Sequence, residues 1–493
     1  MRLKVLCASA LALIAAQAPA CCAPATSEGA RAIAQQISAW LGPFLAGQGI
    51  VAVSPSGEDY AVSFDTEKAL GLLKVPGAAF KIDPLSYFYT PGADGAWSLR
   101  GDQYPAIGFH VPTAKGDFSG QIDFRGHHFD ASYDPKRSEV FRSSASVESV
   151  DAKMRIPDPT GPGADLEIHQ TGIAVDVKAV AVEGGAVTVT VNQAIRSMVE
   201  TLVMTPAPTK GAPAAEPVRL TYRFGEITAG STLKALRFGG IRDMVNWVMA
   251  HKGVEETDAG QSAIKAQILA ILPLWDNLDG SVTLNDLALE VPQGSVTMKS
   301  FSESLSMSGL SPKSGAGIRF SFKDMNVSSP FLPAWAAQLM PASFDFEVRG
   351  SVNGLDEVAR VALDAQDFRT KAPMAKATEA RLAAMLLGGS PKIVVAPGRF
   401  TIPLIDISFE GEMLVTPPDP AGHFTFSADG FDKTVAFLQA NGDTFPDMQK
   451  VSLAITFLKG LAKTGAGGRL VWVVDIAGGR NVTVNGQKIP MGK

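Results

Sequence analysis

Residues 342–350 read ASFDFEVRG, and from Leu355 the chain continues as LDEVARVAL. The first stretch alternates apolar and polar side chains with a period of two, as a strand with one buried face does. A glycine then leads into a helical stretch. The same succession occurs in VRLTYRFGEITAG (218–230), followed by Leu233 onward, and in HFTFSADG (423–430), followed by FDKTVAFL from Phe431. Each copy continues into a second helix: AIKAQILAIL (263–272), EARLAAMLL (379–387) and MQKVSLAITFLKGL (448–461). In the last, Met448, Val451, Ile455, Leu458 and Ala462 keep a 3-4-3-4 spacing, which predicts one apolar face. Paired strands close each copy: SVTLNDLALEV with SVTMKSF, KIVVAP with RFTIPLIDISFEG, and RLVWVVDI with NVTVNG. A strand, two helices and a hairpin cannot bury their apolar faces alone, so the copies are expected to stack on a shared sheet. Their spacing is irregular.

Upstream, residues 28–46 read as an amphipathic helix, with Ile33, Ile37, Leu41, Phe44 and Leu45 on one face and Ser27 as candidate N-cap. From Val51 to about Val191 the period changes to two, as in IAVDV (173–177) and VTVTV (187–191). Gly and Pro clusters punctuate these strands as turns, which predicts an antiparallel meander. MTPAPTKGAPAAEP (204–217) holds four prolines and almost no large apolar residue, and a domain boundary is expected there. The expected fold is therefore α+β and β-rich: an antiparallel meander followed by irregular strand-helix-helix-hairpin repeats sharing a sheet. Its parts are a signal peptide (1–25), an N-terminal helix plus antiparallel β domain (26–203), a linker (204–217) and an α+β repeat domain (218–493).

Arg2 and Lys4 precede an apolar run from Val5 to Ala16, and Ala18-Pro19-Ala20 and Ala23-Pro24-Ala25 each offer a small-x-small cleavage site. The run is shorter than the ~20 residues a bilayer span needs. An exported, periplasmic protein with no transmembrane helix in the mature chain is expected. All three cysteines, Cys7, Cys21 and Cys22, lie in or beside this segment. Cleavage after Ala25 leaves a chain without thiols; cleavage before Cys21 leaves a lipid-modified Cys21 and a membrane anchor. A large exported chain without disulfides suits a bacterial periplasm. Net charge is −5 over the 493 residues, and it falls to −7 once Arg2 and Lys4 are removed, which argues against nucleic acid as a partner. With 46% hydrophobic and 19% charged residues, the chain can bury a large core.

The ending GRLVWVVDIAGGRNVTVNGQKIP (468–490), with strand, Gly479-Arg480, strand and Asn485-Gly486, resembles the C-termini of secreted proteobacterial proteins of unknown function. Those proteins are similar in build to AsmA-type envelope proteins, β-rich and interrupted by helices. The resemblance covers residues 218–493 and implies an envelope protein. It carries over no catalytic residue. AsmA-like proteins usually carry a membrane helix, which this chain lacks.

One enzyme motif set is present. Ser231-Thr-Leu-Lys234, Ser351-Val-Asn353 and Lys463-Thr464-Gly465 resemble, in order and type, the three motifs of penicillin-binding and serine β-lactamase enzymes. That resemblance implies Ser231 as acylated nucleophile, Lys234 as its base, Ser351 and Asn353 as proton relay, and Lys463 at the substrate carboxylate. Against it, Ser-x-x-Lys and Ser-x-Asn each arise about once by chance at this length. Lys463 falls at a helix end, and Ser231 has an ordinary post as helix N-cap. His127-His128 beside Asp130 is the one histidine pair. On a strand His128 and Asp130 share a face, and two ligands are too few for a closed zinc site. No cofactor or metal is expected.

Phenylalanine stands out, with 26 residues against 6 Tyr and 6 Trp. It recurs as aromatic-x-aromatic at Tyr222 and Phe224, Phe320 and Phe322, Phe344 and Phe346, and Phe424 and Phe426, each pair on one face of a strand. Such faces are either core or an apolar groove for acyl chains, which Phe suits because it has no polar atom needing a partner. The expectation is a non-enzymatic exported cell-envelope protein that binds or passes a lipid-like ligand in a Phe-lined β groove. The alternatives are a periplasmic scaffold with a protein partner and no ligand, and the serine acyl-enzyme.

Overall fold

The computed structural model describes residues 24–71, 76–92, 96–134, 139–158, 161–206, 216–251, 253, 256–369, 374–415, 419–441, 446–478 and 481–489. Residues 1–23 of the expected signal segment, with its cysteines, the centre of the Pro-rich stretch and Gly479-Arg480 lie outside the described residues. The fold is α+β and β-rich. It divides into two units: one holds the chain to Thr232 with Arg242–Lys252 and Ala288–Pro292, the other Leu233–Ile241, Gly253–Leu287 and Gln293–Lys493.

The first unit opens with α1 (Ser27–Ala46). Its N-cap is Thr26 rather than Ser27: the Thr26 hydroxyl accepts the Gly29 N–H at 3.0 Å, because the helix begins a residue earlier than its apolar spacing suggests. Strands β1 (Val51–Ser56) and β2 (Asp59–Phe64) precede the short α2 (Thr66–Gly71). Then come β3 (Ala79–Ile82), β4 (Leu85–Pro91), β5 (Trp97–Gly101), β6 (Ile107–Thr113), β7 (Gly116–Arg125) and β8 (His128–Asp134). Three long strands follow, β9 (Glu139–Asp158), β10 (Gly161–Ala181) and β11 (Val187–Met204). Pairing is antiparallel but is not the simple meander expected. One branch runs β1–β2–β4–β5–β8, the other β3–β6–β7, and both join β9. At 20 residues β9 is long enough to pair with β8 along one half and β7 along the other.

Ala30, Ile33 and Ile37 of α1 pack on Tyr60, Val62, Leu85, Tyr89, Leu99 and Tyr133, which alternation turns to one face. Tyr89 lies wholly inside this core, and its hydroxyl has no hydrogen-bond partner among the described residues. Burial pushes that hydroxyl's pKa well above the usual phenol range. Tyr89→Phe should therefore raise stability by about 1 kcal/mol, since an unpaired buried polar group costs ~1–3 kcal/mol. A lowered urea midpoint in the variant would count against this packing.

A second cluster joins Ala152, Ile168, Ile195 and Met198, with Ile173 packed against it. Ile168 and Ile173 are five residues apart on β10, so strict alternation would put them on opposite faces. Between them Gly172 takes φ 61° and absorbs the half-step. Apolar residues thus stay on one side of the sheet: Leu166, Ile168, Ile173, Val175 and Val177 on β10, opposite Leu202, Glu200, Ile195, Gln193 and Val191 on β11.

β12 (Val218–Phe224) pairs with β11, Met204 opposite Val218. The stretch 204–217 therefore lies between two paired strands of one unit. The boundary expected there falls instead between Thr232 and Leu233.

Onward the order is β13 (Glu226–Leu236), α3 (Phe238–Ala250), α4 (Asp258–Ala270), β14 (Asn277–Val291) and β15 (Gly294–Ser308). Next are β16 (Lys313–Lys323), β17 (Asn326–Ser328), β18 (Ser343–Asn353), α5 (Leu355–Ala365) and α6 (Lys376–Gly388). β19 (Lys392–Ile402), β20 (Ile405–Leu414), β21 (Ala421–Asp429), α7 (Phe431–Ala440) and α8 (Pro446–Leu461) follow. The described chain ends with β22 (Lys463–Thr464), β23 (Leu470–Ala477), β24 (Asn481–Val484) and β25 (Gln487–Lys488). Strand, two helices and two strands thus recur three times, as expected. The first copy differs in detail: residues from Leu233 to Leu236 continue β13 rather than opening a helix. Extended pairing holds this segment, with the Asp276 N–H donating to the Lys234 carbonyl at 2.9 Å.

In the second unit, β16, β18, β19, β20, β21 and β23 pair antiparallel in that order. The register sets where each helix pair leaves. β18 ends beside Lys392 and Leu414, whereas β21, three strands on, runs the other way and ends beside Asp406. The α5–α6 pair therefore springs from one rim of the sheet and α7–α8 from the other. At both junctions a left-handed glycine turns strand into helix, Gly354 (φ 73°) and Gly430 (φ 85°). Acidic residues in the first turns, Asp356, Glu357 and Asp432, complement the helix dipoles.

At the α7–α8 rim, Ile405, Ala428, Phe431 and Trp472 form a buried cluster. α8 turns Ser452 and Ile455 inward, while Val451 and Leu458 of the expected apolar face are 48% and 47% exposed. The helix is apolar nearly all round, so spacing alone does not choose the buried stripe. No helix among the described residues is long and apolar enough to cross a membrane.

Candidate apolar binding site

Alternation gives the second unit's sheet two unlike faces. One carries charge, with Arg319 held bidentate by Asp345 at 2.9 and 2.7 Å and Lys392 paired with Glu412 at 2.8 Å. Arg399 pairs with Asp406 on the same side, and these contacts hold the Asp406 carboxyl below the usual carboxylate range.

The other face carries phenylalanine. Phe322 stands opposite Phe344, Phe320 opposite Phe346, Phe344 opposite Phe400 and Phe409 opposite Phe426. Ring centroids lie 5.9 Å apart for Phe322 and Phe344 and 6.0 Å apart for Phe346 and Phe409, within the span of favourable aromatic pairs. A bulge in β19 at Ala396-Pro397 keeps Val395 and Phe400 on this same face. A side chain at Gly398 would strike the Phe409 ring at 2.4 Å, and one at Gly411 the Phe424 ring at 2.3 Å. The rings lie down on the backbone because those positions are bare.

Side chains shrink along this face toward the rim that bears α5–α6. On β18 the sequence runs Phe344, Phe346, Val348, Gly350, and on β16 it runs Phe322, Phe320, Ile318, Ala316, Ser314. The shrinkage leaves a hollow of about 550 Å³. Its walls are Leu272, Leu274, Trp275, Met307, Leu310 and Ile393, and its floor is Ala316 and Gly350. That volume lies within the ~300–1,000 Å³ of small-molecule sites. The Trp275 indole N–H is buried without an acceptor among the described residues. Ser314 is buried and already engaged with the Gly309 and Ser311 carbonyls, each at 3.0 Å.

Six of the eight aromatics expected to line a groove, Phe320, Phe322, Phe344, Phe346, Phe424 and Phe426, lie on this face. None of the six is buried, and Phe426 is 39% exposed. Tyr222 and Phe224 belong to the first unit, on β12, where Phe224 packs against the Ile168–Met198 cluster. Cys21 lies outside the described residues. The hollow's walls were not foreseen, because four separated segments supply them; the falling side-chain size along β16 and β18 was the available signal.

The serine motif set takes a different form from the enzyme pattern. Ser231 and Lys234 lie on β13 rather than on a helix, three residues apart, so Ser231 caps no helix and Lys234 faces the other way. Lys234 instead reaches Asp279 at 3.8 Å. Ser351 ends β18 with Asn353, whose side-chain amide donates to the Gly389 carbonyl at 3.2 Å. Lys463 sits in the two-residue strand β22 directly after α8, not at the helix end, because it pairs with Val471. His128 does face Asp130, and its other ring nitrogen meets Asp102 at 2.8 Å. The hydrogen bond to Asp102 and then that to Asp130 raise its pKa. Among the described residues no group of three or more His, Cys, Asp or Glu is placed to hold a metal.

No protein-family model, curated protein or solved structure matches the chain.

Proposed function

We propose that this chain is a non-catalytic binding protein of the cell envelope that holds or passes a lipid-like molecule, its apolar part in the hollow and along the phenylalanine face. The observation that carries the reading is the half-open state of that face: aromatic rings stand in register, unsealed by helices, and lead to an apolar hollow. A closed core would bury them, as the cluster at the opposite rim is buried. The export signal expected in the sequence puts such a molecule within reach.

Native mass spectrometry of gently purified protein tests this. A reproducible mass excess resolving into lipid on denaturation is expected. Gly350→Leu should fill the hollow, since a Cβ there meets nothing closer than 4.0 Å. At least a tenfold loss of bound lipid is expected with little change in melting temperature. A bare polypeptide mass for the native chain, or full lipid occupancy in folded Gly350→Leu, would overturn the reading and leave an envelope scaffold with a protein partner.

A further inference from the structure

Among the described residues, Glu200 is an acid on the apolar side of the first unit's sheet. Glu200 of β11 stands opposite Ile168 of β10 and Tyr222 of β12. Its neighbours on that side are Leu166, Gln170, Met198, Leu202, Leu220 and Phe224, and the Gln170 amide is engaged with the Met198 sulfur at 3.4 Å. Arg223 and Glu290 pair with each other on the reverse face at 3.4 Å, as do His169 and Asp151 at 2.7 Å. Glu200 has no such partner among the described residues; desolvation alone acts on it and raises its pKa above the ordinary glutamate value. From Glu200 to Val187 the same side of β11 carries Met198 and Ile195, both buried in the cluster, and then the half-buried Gln193, Val191, Val189 and Val187, a strip ~40 Å long at ~3.3 Å per residue.

We propose that this face is a second binding site, for an amphiphile with a cationic amine head, the amine against the Glu200 carboxylate and the tail along the Ile195–Val187 strip. The charge picks the occupant. A lone carboxylate in a poorly hydrated setting gains more from a cation than a surface carboxylate does, while an anionic or neutral head gains nothing there. The apolar strip runs from the acid in one direction, which is the layout of a head and a tail. The site stands on the first unit alone and does not depend on the hollow being occupied.

Dodecylamine and dodecanol, below their micelle concentrations, serve as matched probes of the full-length protein. Binding is measured by titration calorimetry, and its place by hydrogen exchange in residues 164–204. At pH 8 the amine should bind at least tenfold more tightly than the alcohol and slow exchange in β10 and β11. Glu200→Gln should abolish that preference, and Glu200→Leu should do so even if the Gln variant is perturbed. The sign with pH follows from the carboxylate: dodecylamine stays cationic, so its affinity should fall as the pH is lowered through the raised Glu200 pKa. Tyr222 is the titratable group facing Glu200 across β12. Equal affinity for amine and alcohol, unchanged amine binding in both variants, or protection confined to the second unit would each overturn the proposal.

Discussion

Gly172→Val should destabilise the first unit by more than about 3 kcal/mol, read as a drop in the urea midpoint of its unfolding. Three causes act together. The native φ of 61° is costly for a β-branched residue, by about 1–3 kcal/mol. The new Cβ would lie 2.8 Å from the Arg196 Cβ, on a neighbouring strand with little room to yield. Restoring ordinary backbone at residue 172 would also undo the half-step that keeps Ile168 and Ile173 in one cluster. Gly184→Val is the control: its φ is 76°, but nothing lies within 4 Å of its Cβ, so strain alone remains. Equal losses in the two variants would show that the half-step stores nothing beyond a dihedral preference.

Trp472→Ala should cost the second unit about 3–5 kcal/mol, the range for emptying a buried large aromatic site. Trp472 is 8% exposed and lies 5.1 Å from the Phe431 ring, and its indole donates to the Leu458 carbonyl at 2.8 Å. The truncation opens a cavity and leaves that carbonyl short of a donor. Trp472→Phe keeps most of the apolar area and loses the hydrogen bond, so a loss nearer ~1–2 kcal/mol is expected. Guanidinium unfolding of both variants separates the two contributions, and a Phe variant as weak as the Ala variant would assign the whole effect to the hydrogen bond.

The repeating part of the fold was legible because two signals coincide there: aromatic-x-aromatic strands and, in the second and third copies, a glycine directly before the first helix, Gly354 and Gly430. The first copy was harder to read. STLKAL (231–236) fits a helix or a strand, and pairing decides between them. The phenylalanine face was legible from its period of two, whereas the hollow beside it was not. The small side chain at Ala316 and its absence at Gly350 leave no mark on a hydrophobicity pattern, and Leu272 and Ile393 are joined to the hollow only by the fold. Glu200 passed unnoticed for a related reason. The alternation breaks at the level of Gly172, between Ile195 and Met198 on β11, so that strand read with strict period two puts this acid on the opposite side from Ile195.

From β18 to β21 the sheet advances by three antiparallel strands, and an odd stride reverses direction. Which rim receives a helix pair is therefore a matter of counting rather than of residue type. One further copy of the same stride would set its helices back on the rim that holds the hollow; a copy with an even stride would crowd them onto the sealed one. An array built this way lays its helices on alternating margins, and a single strand gained or lost would change which margin stays open.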